Sequence, residues 1–427
     1  MTNALYNHLN DCLKKARKTM DFSPTEKTLE YRKRLIEFIK ENIEPIEADY
    51  HKDIRRINPD GDWRHWQVPP AVAELKQKAR EQGLWNLFLP DAELGAGLST
   101  LEYAPLAEVM GHSLLAPEIF NCNAPDTGNM EVLYHFGSAE QKQQWLTPLL
   151  AGDIRSVFCM TEPDVASSDA TNMQTSIVAD GDDVVINGRK WWSTGLGHPD
   201  AKFAIVMGLT DVEAAKHQRH SMVIVPLETA GVSVERMLPA FGEYDAPYGH
   251  GEVRFDNVRV PKENLIAGLG DGFKIAQGRL GPGRIHHCMR ALGAAEKALQ
   301  LYMQRGQERI AFGRPLLQLG GNMERVADMR IGIDQARLLT FFAAWKIDQV
   351  GAMKALAEIS AIKVAAPNVL QQVVDETIQL YGGAGMSHDT PLTQLFAVAR
   401  ALRIADGPDA VHRATIAKVE LNKYRER

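Results

Sequence analysis

Cysteine is scarce in this sequence, which holds four in 427 residues: Cys12, Cys122, Cys159 and Cys288. They lie far apart and form no C-x-x-C pair, so neither a disulfide framework nor a zinc site built from cysteines is expected. Isolated thiols of this kind are typical of a reduced, intracellular protein. We therefore expect no bound metal, and a cytoplasmic location by default because no clear targeting segment is visible.

Long apolar runs and an excess of positive charge are also absent. No stretch approaches the roughly 20 apolar residues that span a bilayer, so no membrane span is expected. The net charge is −6 and no long run of lysine and arginine occurs, which argues against a nucleic-acid partner. The first twenty residues place basic residues behind Leu5, Leu9 and Leu13. This pattern suits a transit peptide or a membrane-surface helix, but equally a solvated extension, and Asp11 argues against the first two.

The common nucleotide-binding fingerprints are missing. The segment Leu89 to Leu98 contains proline and glycine, but no strand precedes it and no Gly-Lys-Ser/Thr follows, so it is predicted to be a loop and not a phosphate cradle. Farther along, short β-rich runs are separated by turn signals such as Asp180-Gly181-Asp182 and Asn187-Gly188, and not by helices. That order disfavours a Rossmann-type sheet, so a cofactor would need another kind of site.

The commonest pattern in the sequence is helical periodicity. Its 45% hydrophobic content is enough for substantial cores, and apolar residues recur at helical spacing both before and after the β-rich segment. The predicted fold is mainly α with a central β domain. Its parts are an N-terminal extension (1–23), a helical domain (24–154), a small antiparallel middle β domain (155–266) and a C-terminal helical bundle (267–427).

One β segment runs from Phe158 through Met160 and Thr161 into a turn of small residues that ends at Ser168 and Asp169. Its closely spaced backbone N–H groups and hydroxyls suit the carbonyl edge of a planar heterocycle or a phosphate. The same side chains could instead close the loop by bonding to its backbone.

A second β segment carries two adjacent tryptophans, Trp191 and Trp192, followed by Ser193 and Thr194. Adjacent strand residues point to opposite faces, so one indole can pack in the core while Trp192 and Thr194 share the other face. An indole next to a hydroxyl is suited to contact a flat ligand ring.

A third segment, near the C-terminus, presents one carboxylate. A helical run over residues 373–380 stops at a glycine pair, and a new helix is predicted to begin at Asp389 with Pro391 just inside it. Taken alone, Asp389 is an ordinary helix N-cap.

In order and spacing these segments resemble the acyl-CoA dehydrogenase family. The matching motifs are Thr161-Glu162-Pro163 with Ser168-Asp169, the strand Asn187 to Thr194, Arg309-Ile310-Ala311-Phe312-Gly313, and the segment Gln379 to Gly385. The likeness extends over nearly the whole chain from about Pro24. Residues 281–290 and 405–409 look most like the dehydrogenase portion of family members ten and eleven.

The resemblance implies FAD as cofactor. The implied cofactor-binding residues are Phe158, Met160, Thr161, Ser168, Trp192, Ser193, Thr194, Arg309, Phe312, Gln379, Gly383, Pro408 and Asp409. Arg309 and Phe312 would come from a neighbouring subunit, which implies a homodimer or homotetramer. Residues 406–409 match the family's Glu-Gly-Thr segment beside the flavin, with Pro408 in place of its hydroxyl.

The resemblance also implies a reaction: FAD-dependent α,β-dehydrogenation of a fatty acyl-CoA to the trans-2-enoyl-CoA, with electrons passed to an electron-transfer flavoprotein. Asp389 falls where the family's catalytic Glu is expected, so it is predicted to remove the α-proton while the β-hydrogen leaves as hydride. Its side chain is shorter than that of Glu by one C–C bond, about 1.5 Å. Ser168, Arg284 and Met386 are the expected substrate contacts.

The histidines near these positions are not predicted to bind metal or to act as the base. His286 and His287 point about 100° apart on a helix and make a poor metal pair, so they are predicted to be packing or interface residues. His388 is a possible neighbour affecting the pKa of Asp389. Gly283 occupies an alternative position for the family's base and cannot serve.

Two other functions stay open at the level of sequence. One is an oxidase on the same fold, because nitroalkane oxidases resemble this family and also use Asp as base. The other is a non-catalytic module that binds acyl-CoA or a protein. Oxygen consumption would identify the first, and purified protein without yellow colour would favour the second.

Overall fold

The computed structural model describes residues 20–425, apart from the side chains of Leu280 and Pro282. Most of the predicted N-terminal extension and Cys12 therefore lie outside the described residues. Within them, helices come first, a sheet follows and helices return. The prediction of a mainly α fold with a central β domain is confirmed. No helix in this range is both long and apolar enough to cross a membrane.

The N-terminal helices begin at well-capped positions. The Thr25 side chain accepts the N–H of Thr28 at the start of the first helix, and Ser99 with Glu102 forms a capping box at the start of the fourth. The helices are α1 (Glu26–Phe38), α2 (Glu44–Ile57), α3 (Pro70–Glu81), α4 (Thr100–Met110), α5 (Ala116–Ile119), α6 (Asp126–Phe136), α7 (Ala139–Gln141) and α8 (Thr147–Ala151).

A seven-stranded sheet follows, in the order β1-β4-β2-β3-β7-β6, with β5 paired to β4. Its strands are β1 (Arg155–Cys159), β2 (Ser176–Asp180), β3 (Asp183–Thr194), β4 (Ala201–Leu209), β5 (His220–Pro226), β6 (Val232–Met237) and β7 (His250–Pro261). Both faces of β4 are buried. Phe203, Ile205 and Met207 join the core shared with the helices, while Ala204 and Val206 join a second core on the other face.

The structure corrects the predicted β domain in two respects. The sheet is mixed and not purely antiparallel, because β1 runs parallel to β4 with Phe158 opposite Ile205. The Asn187-Gly188 pair is also not a turn between strands. It lies inside β3, where the pairing with β7 shifts register between Ile186 and Gly188 and the strand continues.

The C-terminal part is a helical bundle with a small hairpin. Its elements are α9 (Gly272–Glu308), β8 (Ile310–Ala311), β9 (Arg314–Pro315), α10 (Asn322–Val350), α11 (Leu356–Tyr381), α12 (Leu392–Leu402) and α13 (Asp409–Arg425). The helix predicted to begin at Asp389 begins instead at Leu392, with Pro391 as its N-cap.

Helix α9, 37 residues long, joins the three parts of the fold. It crosses α4 at very short range, because a Cβ placed on Gly293 would lie 1.9 Å from the carbonyl oxygen of Glu108 and 2.9 Å from the Cα of Gly111. Only glycine allows the two backbones to approach this closely. The middle of α9 is thereby held against the N-terminal helices.

Three of the four cysteines lie in the described range, and none of these three forms a disulfide. Burial raises the pKa of the Cys122 and Cys159 thiols to about 11 and that of Cys288 to about 12. Thiols with such pKa values stay protonated and inert near neutral pH.

Candidate active site

The carboxyl end of β1 is fixed to β3 by buried contacts. Lys190 Nζ donates to the carbonyl of Met160 at 2.7 Å and to Glu162 Oε1 at 2.8 Å, and Trp191 N–H donates to the carbonyl of Thr161 at 2.9 Å. The two β segments singled out in the sequence therefore meet, and Met160 and Thr161 stay half-buried beside the tryptophans.

Trp192 lies where the pairing of β3 with β7 is irregular and has a φ of +50°, which is unusual for a bulky residue. Its indole is 41% exposed and lies 5.7 Å from the ring of His250, which in turn has Nδ1 2.9 Å from Thr194 Oγ1. An accessible aromatic ring and a hydroxyl are thus neighbours. Ser193 is 1% exposed, so its side chain faces the protein interior.

A tight turn between α12 and α13, far from these strands in the sequence, carries Asp406. Asp406 and Gly407 have φ of +53° and +102°. The guanidinium of Arg284 donates to the Asp406 carbonyl through Nε and Nη2 at 3.2 and 3.1 Å, and His412 Nε2 lies 3.2 Å from the same oxygen. A Cβ on Gly407 would lie 2.8 Å from that His412 nitrogen. The turn is therefore held in one conformation.

The carboxylate of Asp406 is surrounded by positive charge. Burial raises its pKa, but His287, Arg279, Arg284 and Lys363 outweigh that effect and leave the pKa below its usual value. His287 Nε2 lies 3.4 Å from Asp406 Oδ2, and both side chains are 24% exposed. The site therefore holds one ionised carboxylate that is partly screened from water and still accessible.

Arg279 connects this carboxylate with β1. Its guanidinium carbon lies 3.9 Å from the centre of the Phe158 ring, and its charge acts on both Asp406 and Glu131. Glu131, on α6, is 6% exposed, and burial raises its pKa to about 8 against the opposing effect of Arg279. Phe158 and Asp406 thus belong to one site.

The predicted base, Asp389, has surroundings that differ from those of Asp406. It is exposed, and its N–H donates to Ser387 Oγ at 3.2 Å. His388, the expected neighbour, has Nε2 3.0 Å from Glu243 Oε1 and so pairs with another carboxylate. Met386, an expected substrate contact, is 73% exposed. Asp389 lacks the burial and the surrounding cations that Asp406 has.

The residues expected at the diphosphate and adenine end lie at one end of the bundle. Phe312, at the tip of the β8–β9 hairpin, is 94% exposed, and Arg309, Gln379 and Gly383 are exposed as well. The ends of α9 and α11 that carry them are adjacent, because the Arg305 guanidinium lies over the Tyr381 ring at 5.2 Å.

Three further residues that were expected to bind the cofactor differ in how exposed they are. Ser168 is exposed on the loop after β1, and Pro408 is half-buried at the Asp406 turn. Asp409 is 8% exposed and accepts hydrogen bonds from Arg403 Nε at 2.9 Å and Asn368 Nδ2 at 3.2 Å. Its carboxylate is therefore used within the bundle, at the start of α13.

The sequence reasoning missed Arg279, Glu131 and the roles of His287 and Asp406. A signal for them existed in helix α9, where Arg279, His287 and Arg290 recur at spacings that share one helical face. His286, in contrast, is 3% exposed with its ring 4.7 Å from that of Tyr103, as expected of a packing residue.

Three family models match consecutive segments that together cover most of the chain. Those of the acyl-CoA dehydrogenase N-terminal, middle and C-terminal domains match residues 25–153, 157–258 and 270–421 in turn. The chain belongs to the acyl-CoA dehydrogenase family. It is accordingly an FAD-dependent oxidoreductase, and the family and cofactor expected from the sequence are confirmed.

Curated relatives of this acyl-CoA dehydrogenase differ in length. The probable acyl-CoA dehydrogenase FadE2 of Mycobacterium tuberculosis is 54% identical over 405 residues, which cover 95% of this chain and 98% of that protein. Acyl-CoA dehydrogenase family member 10 of Mus musculus is 51% identical over 392 residues, or 91% of this chain but 36% of the mouse protein. Family member 11 of Gallus gallus is 52% identical over 90% of this chain and 49% of the chicken protein. The chain thus spans about a third to a half of these two longer relatives.

Solved structures agree with the dehydrogenase fold. The protein named a "putative acyl-CoA dehydrogenase from Mycobacterium abscessus" is 60% identical, with a TM-score of 0.91, and the match covers 94% of this chain and 100% of that one. Butyryl-CoA dehydrogenase of Megasphaera elsdenii is 26% identical, with a TM-score of 0.78 and the same coverage.

The residues present in this dehydrogenase suit FAD chemically. The accessible indole of Trp192 offers a flat surface for an isoalloxazine, and Thr161 and Thr194 offer hydroxyls that can bond to the ring's polar edge. The exposed guanidinium of Arg309 suits a diphosphate, which arginine binds with two parallel hydrogen bonds.

Proposed function

We propose that this dehydrogenase carries out α,β-dehydrogenation of a fatty acyl-CoA to the trans-2-enoyl-CoA, with Asp389 as the base that removes the α-proton. The observation that carries the proposal is the accessible Asp389 carboxylate on the loop between α11 and α12, at the position where the resemblance places the family's catalytic Glu. FAD, when bound, accepts the β-hydrogen as hydride.

Asp389 and Asp406 have different surroundings. A general base must reach the carbon acid, and Asp389 is accessible on its loop, where its backbone N–H donates to Ser387 Oγ. The carboxylate of Asp406 instead faces His287 and the cations of α9 and α11. Asp406 is therefore proposed to belong to the flavin side of the site, in the segment that resembles the family's Glu-Gly-Thr.

The strand residues would form the flavin side of the site. Phe158, Met160 and Thr161 lie beside the Trp191 backbone, and Trp192 with Thr194 would lie against the ring. Ser168, on the exposed loop after β1, would come between flavin and substrate.

Arg284 stays a proposed substrate contact. It also holds the turn at Asp406, because it bonds to the backbone carbonyl of Asp406 and not to its carboxylate. Met386, 73% exposed on the loop before α12, stays a proposed substrate contact. It would bind the substrate through apolar contact alone.

The exposed hairpin supports an oligomer. Arg309 and Phe312, together with Gln379 and Gly383, would bind the distant end of FAD in a neighbouring copy, as in the implied homodimer or homotetramer. The 94% exposure of Phe312 supports this, since a phenylalanine gains by being covered. Electrons are proposed to pass from the flavin to an electron-transfer flavoprotein, on the strength of family membership.

A matched pair of variants tests the base. Asp389→Asn should keep the yellow FAD spectrum but lose anaerobic bleaching by acyl-CoAs by about 10²–10⁴-fold in rate, the range for general bases. Asp328→Asn makes the same chemical change at an exposed position of α10 and should bleach at the wild-type rate.

Bleaching at the wild-type rate in Asp389→Asn would overturn Asp389 as the base. Oxygen consumption with nitroalkanes, without bleaching by any acyl-CoA, would indicate an oxidase. A colourless purified protein would indicate the non-catalytic module.

A further inference from the structure

The loop that carries Asp389 is bonded to the β domain as well as to itself. Within the loop, the Ser387 N–H donates to the Ala384 carbonyl at 3.2 Å, and the Asp389 N–H donates to Ser387 Oγ at 3.2 Å. His388 Nε2, in contrast, lies 3.0 Å from Oε1 of Glu243, which belongs to the segment between β6 and β7. An ionised carboxylate has acceptors and no donors, so the Nε2–H of His388 donates. The residue next to the proposed base is therefore bound to another domain.

Glu243 is presented by a tight turn. The N–H groups of Ala240 and Glu243 donate to each other's carbonyls at 2.8 and 3.1 Å, and the two residues between them, Phe241 and Gly242, have φ of +52° and +89°. Two consecutive positive φ angles match a type I′ turn, which holds its ends in register. The Phe241 ring lies 6.2 Å from that of Phe396 on α12. A second contact thus joins the same two parts of the fold.

The segment between β6 and β7, here called the bridging segment (residues 238–249), ends at the expected flavin face. The Gly195 N–H donates to the Gly249 carbonyl at 3.0 Å. His250, the next residue, has Nδ1 2.9 Å from Thr194 Oγ1. The bridging segment is therefore bonded to the end of β3, and through Glu243 it reaches the loop of the base.

The position of this base is demanding. The Asp389 side chain is about 1.5 Å shorter than a glutamate, and a misplacement of about 1 Å can cost on the order of 10²-fold in rate. Its loop follows a glycine-rich turn in which Gly382 has a φ of +63°, and Met386 beside it is 73% exposed. Packing therefore does little to fix the loop, and a bond to the adjacent His388 can.

We propose that Glu243 and His388 are positioning residues for the dehydrogenation: their hydrogen bond sets the distance between the Asp389 carboxylate and the flavin face. The inference rests on the proposed function, because it assumes that Asp389 is the base. Both side chains of the pair are about half exposed, at 47% and 48%, and exposed pairs contribute little to stability. Loss of the pair should therefore slow proton removal while the melting temperature stays nearly unchanged.

The test is anaerobic flavin reduction by graded concentrations of acyl-CoA in the holoenzyme, which separates the limiting rate from the half-saturating concentration. Glu243→Met removes the acceptor, so the limiting rate should fall by about 10–100-fold while the half-saturating concentration stays at the wild-type value. Glu243→Gln keeps an oxygen that can accept from His388 and should restore the rate. Glu213→Met, at an exposed glutamate between β4 and β5, is the matched control and should match wild type.

A double-variant cycle tests whether the two residues act through one contact. His388→Phe removes the donor and should slow reduction as much as Glu243→Met does. The double variant should be no slower than either single variant, because the contact is already lost. Flavin content and melting temperature show that each variant is folded. Losses that multiply in the double variant, or a change confined to the half-saturating concentration, would overturn the proposal.

Failure of this inference can be told from failure of the proposed function. If Asp389→Asn is reduced at the wild-type rate, the base is wrong and the positioning role fails with it. If Asp389→Asn loses reduction and Glu243→Met keeps the wild-type rate, Asp389 stands as the base and only the positioning role falls.

Discussion

Glu131 is a buried acid with a single charged group acting on it, Arg279. Burial raises its pKa from 4.5 to about 8, so between these values the folded protein holds a proton that the unfolded chain has released. Stability therefore falls as pH rises from about 5 to 8 and levels off above that range.

Glu131→Gln should remove this dependence. The variant should melt at the wild-type temperature at pH 5, where Glu131 is already neutral, and at a higher temperature at pH 9. Thermal unfolding at both pH values checks this. Glu74→Gln, a matched change at an exposed position of α3, should follow wild type throughout. Melting curves of Glu131→Gln that parallel wild type across the range would contradict the argument.

At the scale of single residues, the sequence was informative about Thr161, Trp192 and Thr194, since strand alternation places flat and hydroxylated side chains together. It predicted Asp389 as the base and did not single out the carboxylate of Asp406. Both follow a helix end, on either side of α12, and only the packing of α9 decides which of them is surrounded by cations.

The crossing of α4 and α9 is the contact between elements on which the site most depends. Gly293→Ala would place a methyl group 1.9 Å from the Glu108 carbonyl, so the helices must separate, at a cost of about 1–3 kcal/mol or more. Because Arg279, whose guanidinium lies against Phe158, is on the same helix, flavin reduction should slow as well. Melting temperature and reduction rate both report the effect.

The control for this prediction is another helical glycine. In α10, a Cβ on Gly332 would meet Val369 at 3.7 Å, an ordinary contact. Gly332→Ala should therefore keep or slightly raise stability, since alanine favours a helix by about 1 kcal/mol over glycine. A normal melting temperature for Gly293→Ala would mean that the crossing is not tight.

Helices and strands were predictable from periodicity. The pairing of two strands was less predictable where the strands are distant in the sequence. Strands form in the segment where the sequence predicts short β-rich runs, but the parallel pairing of β1 with β4 joins segments separated in the chain and leaves no local pattern. The Asn187-Gly188 pair has turn chemistry, yet β3 continues through it because β7 pairs along both halves.

At the scale of the whole molecule, the exposed hairpin predicts how FAD is held. Arg309→Ala should give purified protein with less bound FAD, because a guanidinium is lost from the proposed diphosphate contact. Absorbance per chain measures this. Arg56→Ala, at an exposed arginine of α2, is the matched control and should keep its flavin. A full complement of FAD in Arg309→Ala would contradict the shared site.

The α–β–α order was sufficient to predict the architecture, because each change of periodicity marks a change of domain. The assembly was not predictable in this way. Exposed apolar residues such as Phe312 and Met323 become visible as a surface only once the helices are in place.

The β8–β9 hairpin at the end of α9 has a consequence for mixtures of two variants. If Arg309 serves the flavin of a neighbouring copy, then each complete site draws Asp389 from one chain and Arg309 from another. Asp389→Asn, which lacks the proposed base, and Arg309→Ala, which should bind less FAD, should therefore complement each other when they are unfolded and refolded together. In a mixed dimer one of the two sites is intact, so the activity of the mixture should exceed that of either variant alone.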